Sequence, residues 1–136
     1  EMRLYTNGDS NLDSTIAKVT LRLLNIPCQE VSVPLDGVDK ALLSKSKTGK
    51  FPVLETEHGN LIFEATSIAK YLARKQPLFY GASPSETVDV DSWIDFINTS
   101  VAPLSKQLTA MVVGQLQSDQ RTFGTTLKDF KKQLEQ

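Results

Sequence analysis

The 136 residues predict an α/β half on a mixed four-stranded sheet, followed by a shortened all-helical half. Three observations predict it. Short apolar strands alternate with helical patterns as far as residue 63, a segment bearing Pro and Gly follows, and beyond it apolar residues recur only every three or four positions.

Arg3–Thr6 reads as a strand and Asn7-Gly8-Asp9-Ser10-Asn11 as a turn-rich loop. Asp13 or Ser14 is the expected cap of a helix carrying Ile16, Val19, Leu23 and Leu24 on one face and ending at Asn25, before Pro27. Val31, Val33 and Leu35 alternate with Glu30, Ser32 and Pro34 as a half-buried strand, and a short helix follows over 38–46. Pro52–Thr56 and Leu61–Phe63, joined by Glu57-His58-Gly59-Asn60, form a hairpin by their spacing. Pro52 has no N–H for a sheet ladder, so it sits at an edge or a strand start, and its bond to Phe51 is a candidate cis peptide. Thr66–Arg74 is a helix with Ile68, Tyr71 and Leu72 inward.

Residues 76–85, with Pro77, Gly81 and Pro84, read as a linker between a domain over 1–75 and a helical one over 86–136. In the latter Val90, Trp93, Ile97, Val101, Leu104, Leu108 and Met111 make one apolar stripe along a long helix. Pro103 removes a backbone bond from it, so a kink is expected near Thr99–Pro103. Gly114–Thr122 is a polar break, after which Phe123, Leu127, Phe130 and Leu134 restart the helical period.

A net charge of -1 gives no electrostatic footprint for nucleic acid. The single Cys28 forms no internal disulfide, and no apolar run approaches the roughly 20 residues that span a bilayer, so cytosol is the expected compartment and no membrane partner is expected. The one histidine, His58, lies in the hairpin turn with no cysteine beside it, and no metal site is expected. Met2 behind Glu1 reads as an initiator methionine, and the helical pattern running to Gln136 without a stop signal reads as a chain cut from a longer one.

Lys50-Phe51-Pro52-Val53-Leu54, followed by Leu61-Ile62-Phe63-Glu64-Ala65-Thr66, resembles the glutathione transferase family, and the resemblance runs from Met2-Arg3-Leu4-Tyr5 to the last helix. It implies a thioredoxin-like N-terminal domain followed by a transferase-type helical domain. In that family the Pro-containing strand and a Glu-Ser pair cradle glutathione, so the corresponding residues here are Lys50, Phe51, Pro52, Val53, Glu64, Ala65 and Thr66. Ala65 stands where the family has serine and keeps only its amide for the ligand carboxylate; Thr66 is one residue late; Lys50 is placed to pair with the tripeptide's other carboxylate. Glutathione conjugation also requires a hydroxyl that stabilises a thiolate. Counting from Leu4 puts Ser10 at that place, counting back from Asn25-Ile26-Pro27 puts Asn11 there, and Tyr5 is the tyrosine-type candidate although its strand position reads as core. Glutathione is the one small ligand implied, and no other cofactor is. The bland readings are that Pro52 serves the fold and that Glu64 favours the positive end of its helix by about half a kcal/mol.

Phe79-Tyr80-Gly81-Ala82-Ser83, Glu86 and Val90-Asp91-Ser92-Trp93-Ile94-Asp95-Phe96 are similar to a stretch of transferase-like domains in the translation apparatus. These belong to cytosolic methionyl- and glutamyl-tRNA synthetases, scaffold proteins of the multisynthetase complex and the gamma subunit of elongation factor 1. The resemblance implies a non-catalytic docking module that pairs with other such domains as a homo- or heterodimer. Its interface candidates are Tyr71, Arg74, Trp93 and Phe96, although a Trp on an apolar stripe is more often core. The alternative is an active glutathione transferase using Ser10 or Tyr5.

Overall fold

The computed structural model describes residues 1–8, 11–34 and 40–136, with the side chain of Leu42 left out. Ser10 and Leu35 therefore lie outside the described residues, as does the start of the helix expected over 38–46. The chain divides into two compact units, Glu1–Ala82 and Ser83–Gln136.

In the first unit β1 (Arg3–Thr6) pairs in parallel with β2 (Gln29–Ser32) and antiparallel with β3 (Val53–Glu55), which pairs antiparallel with β4 (Leu61–Phe63). The result is a mixed four-stranded sheet of order β2-β1-β3-β4, as expected from the sequence. Alternation along each strand divides the side chains between two faces. On one face Leu4, Leu54 and Ile62 meet α1 (Leu12–Leu23) and α3 (Ala65–Arg74) through Ala17, Leu21, Ile68 and Leu72. On the other, Tyr5, Val53 and Leu61 gather with Val31, Val33 and Phe51.

Several boundaries differ from the sequence reading, each for a local reason. The cap of α1 is Asn11, not Asp13 or Ser14: its side chain accepts the Asp13 N–H at 2.9 Å, which moves the helix start to Leu12. The helix stops at Leu23. Asn25, with φ +53°, reverses the chain, its N–H bonding Arg22 O while the Ile26 N–H bonds Leu21 O, the paired reversal that commonly closes a helix. β2 begins at Gln29, one residue before the expected alternation, and ends at Ser32, three residues before Leu35, because β1 offers carbonyls only this far: the Gln29 N–H bonds Met2 O at one end of the parallel ladder and the Val33 N–H bonds Thr6 O at the other. The four-residue α2 (Lys40–Leu43) lies within the stretch expected to be helical.

Gly59, with φ +79°, sits in the β3–β4 turn, where its N–H bonds Thr56 O and the Thr56 N–H bonds Asn60 O. On α3, Ile68 and Leu72 are fully buried as expected, while Tyr71 is only half-buried and carries the Lys75 ammonium over its ring at 5.2 Å.

In the second unit α4 (Pro84–Phe96) starts two residues before residue 86, where the helical domain was expected to begin, because Ser83 and Glu86 form a reciprocal capping box and Pro84 occupies a first-turn position that needs no N–H. Where the sequence predicts a kink, the hydrogen-bonding pattern changes. Residues Ile97–Val101 make a π-turn in which the Ala102 N–H reaches back to Ile97 O, so the backbone pattern changes just before Pro103 and then resumes as α5 (Ala102–Val112). The single uninterrupted apolar stripe is corrected accordingly. Leu108 is buried, whereas Trp93 is 62 % exposed, on the solvent side of α4 rather than in a core. The last helix, α6 (Gln120–Leu134), begins three residues earlier than Phe123 because the Asp119 carboxylate caps the Thr122 N–H at 2.7 Å.

Ser14, read as a loop or cap residue, is instead buried in α1, and its Oγ has no hydrogen-bond partner. A buried hydroxyl left unpaired forgoes its hydration without return, a penalty of about 1–3 kcal/mol. Ser14→Ala removes that oxygen and adds helix propensity, so the variant is expected to gain about 1 kcal/mol, read as a higher urea midpoint at unchanged slope.

Candidate functional site

The cleft begins in the segment that leads into β3. Gly49, with φ +70°, turns the chain there; the Gly49 N–H bonds Ser46 O, and the buried Ser46 hydroxyl donates to Lys50 O at 2.6 Å. This places Phe51-Pro52 at the sheet, with a cis bond between them as the sequence suggested. Phe51 is buried among Tyr5, Val33 and Val53, which holds that corner from the side opposite the helices. The other wall is the entrance of α3. Glu64 precedes the helix at φ +69°, ψ 126°, a conformation that costs a non-glycine residue of order 1–3 kcal/mol. Its carbonyl accepts the Ile68 N–H at 3.0 Å, yet its side chain makes no capping bond.

Lys50, Phe51, Pro52, Glu64 and Ala65 line one cavity of about 30 Å³ together with Asp13 and Thr48. Five of the seven residues singled out by the family resemblance are thus brought together. Val53 is fully buried beneath them, and Thr66, half-buried, follows inside α3. Asp13 and Thr48 escaped the sequence reading. Asp13 was legible only as a cap candidate, and nothing in the residues around Thr48 marked it. The N-terminal amides of α3 and its positive dipole end favour an anion at this cleft, but Ala65 adds no hydroxyl and two carboxylates, Asp13 and Glu64, stand beside the one ammonium of Lys50.

Tyr5 lies elsewhere. It is buried on the opposite face of the sheet, where its hydroxyl donates to Glu55 Oε2 at 2.6 Å while Lys45 Nζ donates to Glu55 Oε1 at 2.9 Å and stands 5.8 Å from the centre of the Tyr5 ring. Burial, reinforced by the Glu55 carboxylate, holds the Tyr5 phenol above its ordinary pKa. The Tyr5 and Lys45 hydrogen bonds hold the Glu55 carboxyl below its own. A phenol so placed donates its proton to a carboxylate rather than to a thiolate. Cys28 is half-buried; desolvation, then the Glu30 carboxylate, pushes its thiol up to about 11, so it is protonated at neutral pH.

The interface candidates fall in both units. Arg74 stacks its guanidinium 4.5 Å from the centre of the Tyr80 ring, Tyr71 carries Lys75, and Lys75 also pairs with Glu57 at 2.8 Å. On α4, Trp93 and Phe96 meet edge to face with centroids 6.0 Å apart.

A family model described as the glutathione S-transferase N-terminal domain matches residues 4–84. An elongation factor 1-gamma of Trypanosoma cruzi is 38% identical over 64 residues, 45% of this chain and 15% of that protein. One from Artemia salina is 28% identical over 95 residues, 70% of this chain and 22% of that protein. The chain thus spans about a fifth of these relatives' length. Among solved structures, a glutathione S-transferase-I bound with lactoylglutathione superposes with a TM-score of 0.85 at 22% identity, over 98% of this chain and 68% of that one; at that identity the likeness concerns the fold.

Two outcomes follow from the charges. Because Glu55 has a lowered pKa when folded, the stability it contributes is present above the ordinary carboxylate pKa of about 4.3 and fades as pH falls through the folded value. Glu55→Gln is expected to lower the urea midpoint at pH 7, with the gap from the parent chain closing progressively below about pH 4. Cys28 is expected to react with iodoacetamide at pH 8 roughly a hundredfold more slowly than free cysteine, with the rate climbing as pH approaches 11; labelling followed by mass spectrometry measures it.

Proposed function

The chain belongs to the glutathione S-transferase family, and from that premise we propose that it is a non-catalytic docking module of the translation machinery, assembling with other transferase-like domains of an elongation factor 1 or aminoacyl-tRNA synthetase complex. The observation that carries this reading is Ala65. At the entrance of α3, where a ligand carboxylate would be met by a hydroxyl and an amide, only the amide is present, while Glu64 keeps its costly backbone turn. The geometry of the cleft persists without its full chemistry, which fits a domain kept for its surface. The commitment of Tyr5 to Glu55 supports the same reading, as does the likeness to elongation factor 1-gamma chains. Cytoplasmic residence belongs to this reading; the structural fact is that, among the described residues, no helix is long and apolar enough to cross a membrane.

The second reading, a glutathione transferase that conjugates electrophiles, is favoured by one observation: the cis Phe51-Pro52 corner and Lys50 remain on the same cleft as the α3 N-terminus. In that case the thiolate-stabilising group is Ser10, which lies outside the described residues.

Purified chain mixed with the transferase-like domains of elongation factor 1 subunits and of tRNA synthetases is expected to co-migrate with one of them on size exclusion. It is expected to show no conjugation of glutathione to 1-chloro-2,4-dinitrobenzene above the uncatalysed rate. Ala65→Ser restores one hydrogen bond to a charged group and is expected to tighten glutathione binding about tenfold by calorimetry. Turnover by the unmodified chain together with the absence of any complex would overturn the docking role.

A further inference from the structure

α1 carries apolar side chains on two sides. Ala17, Leu21 and, just past the helix end, Leu24 are buried in the cluster shared with the sheet and α3, whereas Leu12 is 38 %, Val19 46 % and Leu23 71 % exposed, with Ile16 half-buried among them. At about 100° per residue, positions 12, 16, 19 and 23 fall within about 60° of one another, roughly opposite the buried side. Ile16, Val19 and Leu23 therefore share a face as the sequence predicts, but the structure turns that face to solvent and leaves Leu24 on the other. The margins add to it. Thr15 and Thr20 donate their hydroxyls to carbonyls four residues back, Asn11 O at 3.1 Å and Ile16 O at 2.8 Å, so what each offers a neighbour is a methyl group. Lys18 is tied to Glu30 at 3.3 Å, and no charged residue stands within the stripe itself.

The stripe is its own complement. Its spacings of four, three and four residues read the same in either direction, so a second α1 laid antiparallel sets Leu12 against Leu23 and Ile16 against Val19, twice over. Along the margins Arg22 then faces Thr15 of the other copy and Asp13 faces Thr20, so no like charges are opposed, and the positive end of each helix dipole lies beside the negative end of the other. A helix of one charge sign finds no complementary row here, because one margin carries Asp13 and the other Arg22. A nucleic acid would require a cationic surface that the stripe lacks.

We propose that two copies of this chain associate through antiparallel α1 helices, Leu23 of each covering Leu12 of the other and Ile16 of each covering Val19. The contact is a two-fold one, uses none of Tyr71, Arg74, Trp93 and Phe96, and stands or falls apart from the docking-module reading. It also brings Leu23 of each copy beside the Leu12 that precedes Asp13, at the edge of the cleft. A twelve-residue helix is only about 18 Å long, so the contact lies at the small end of specific interfaces and the association is weak.

Sedimentation equilibrium of the whole chain between about 5 and 500 μM is expected to show a mass that rises reversibly from 15.1 kDa toward twice that value. The double variant Val19→Lys, Leu23→Lys changes two exposed positions, so its far-UV circular dichroism and urea midpoint are expected to match the parent while its self-association weakens at least about tenfold. The register has its own test. Chains carrying Leu12→Glu alone or Leu23→Lys alone are each expected to self-associate more weakly than the parent, whereas an equimolar mixture of the two recovers a mixed dimer, the introduced carboxylate of one chain facing the introduced ammonium of the other. A parallel pair would leave those charges about 16 Å apart and recover nothing. A mass that stays at 15.1 kDa throughout overturns the proposal. So does a dimer that survives the double variant, one that is lost with Trp93→Ala instead, or a mixture that associates no better than either single variant.

Discussion

The packing of α1 and α3 against Leu4 and Leu54 is the constraint from which the rest of the first unit follows. Leu4, Leu54, Ile68 and Leu72 are all fully buried, and removing each such side chain from water contributes about 1.5–3 kcal/mol. With the even-numbered positions of β1 and β3 committed to the helices, their neighbours Tyr5 and Val53 must face the other way. There they collect Phe51 and Val33 into a second cluster. The position of Pro52 and of the α3 entrance is a consequence: both wrap around strands whose register the seam has already set.

Polar contacts refine that arrangement. Ser46 and Gly49 shape the approach to Pro52, and the Lys45–Glu55 pair ties the same segment to β3, next to the Tyr5 hydroxyl. Tyr5 joins sheet to segment through one short hydrogen bond, and that tie is also why it is a poor partner for a thiolate. A fold can therefore hold the outline of a ligand cleft through packing and turn geometry alone, with the chemistry of the cleft depending on one or two side chains such as residue 65. Fold and function separate at that level.

Where sequence reading succeeded, the signal was local and strong. The hairpin around Gly59, the Phe51-Pro52 corner and the apolar face of α3 all depend on residues within one turn or one strand pair. Where it failed, the competing bond lay slightly outside the window. Asn11 took the cap role from Asp13 because its carboxamide reaches two residues ahead; Asp119 did the same for α6. Trp93 joined the predicted stripe because its spacing fits a straight helix, but α4 half-buries a neighbouring strip that includes Val90 and Ile94 and leaves Trp93 in solvent. Asp13 and Thr48 reached the cleft through the packing of distant segments, which no periodicity encodes.

By itself the amino-acid sequence determined the order of strands and helices, the turn at Gly59, the break in the long helix before Pro103 and the absence of a side-chain hydroxyl at position 65. Each of these follows from the conformational limits or the functional group of one residue. Tertiary structure alone decided that Tyr5 spends its hydroxyl on Glu55, that Ser14 is entombed without a partner, that Asp13 stands beside Lys50 and Glu64, and that the aromatic pair of α4 faces outward. Those outcomes depend on which surfaces are left over once the apolar seams have closed, a quantity set by long-range packing rather than by neighbours in the chain.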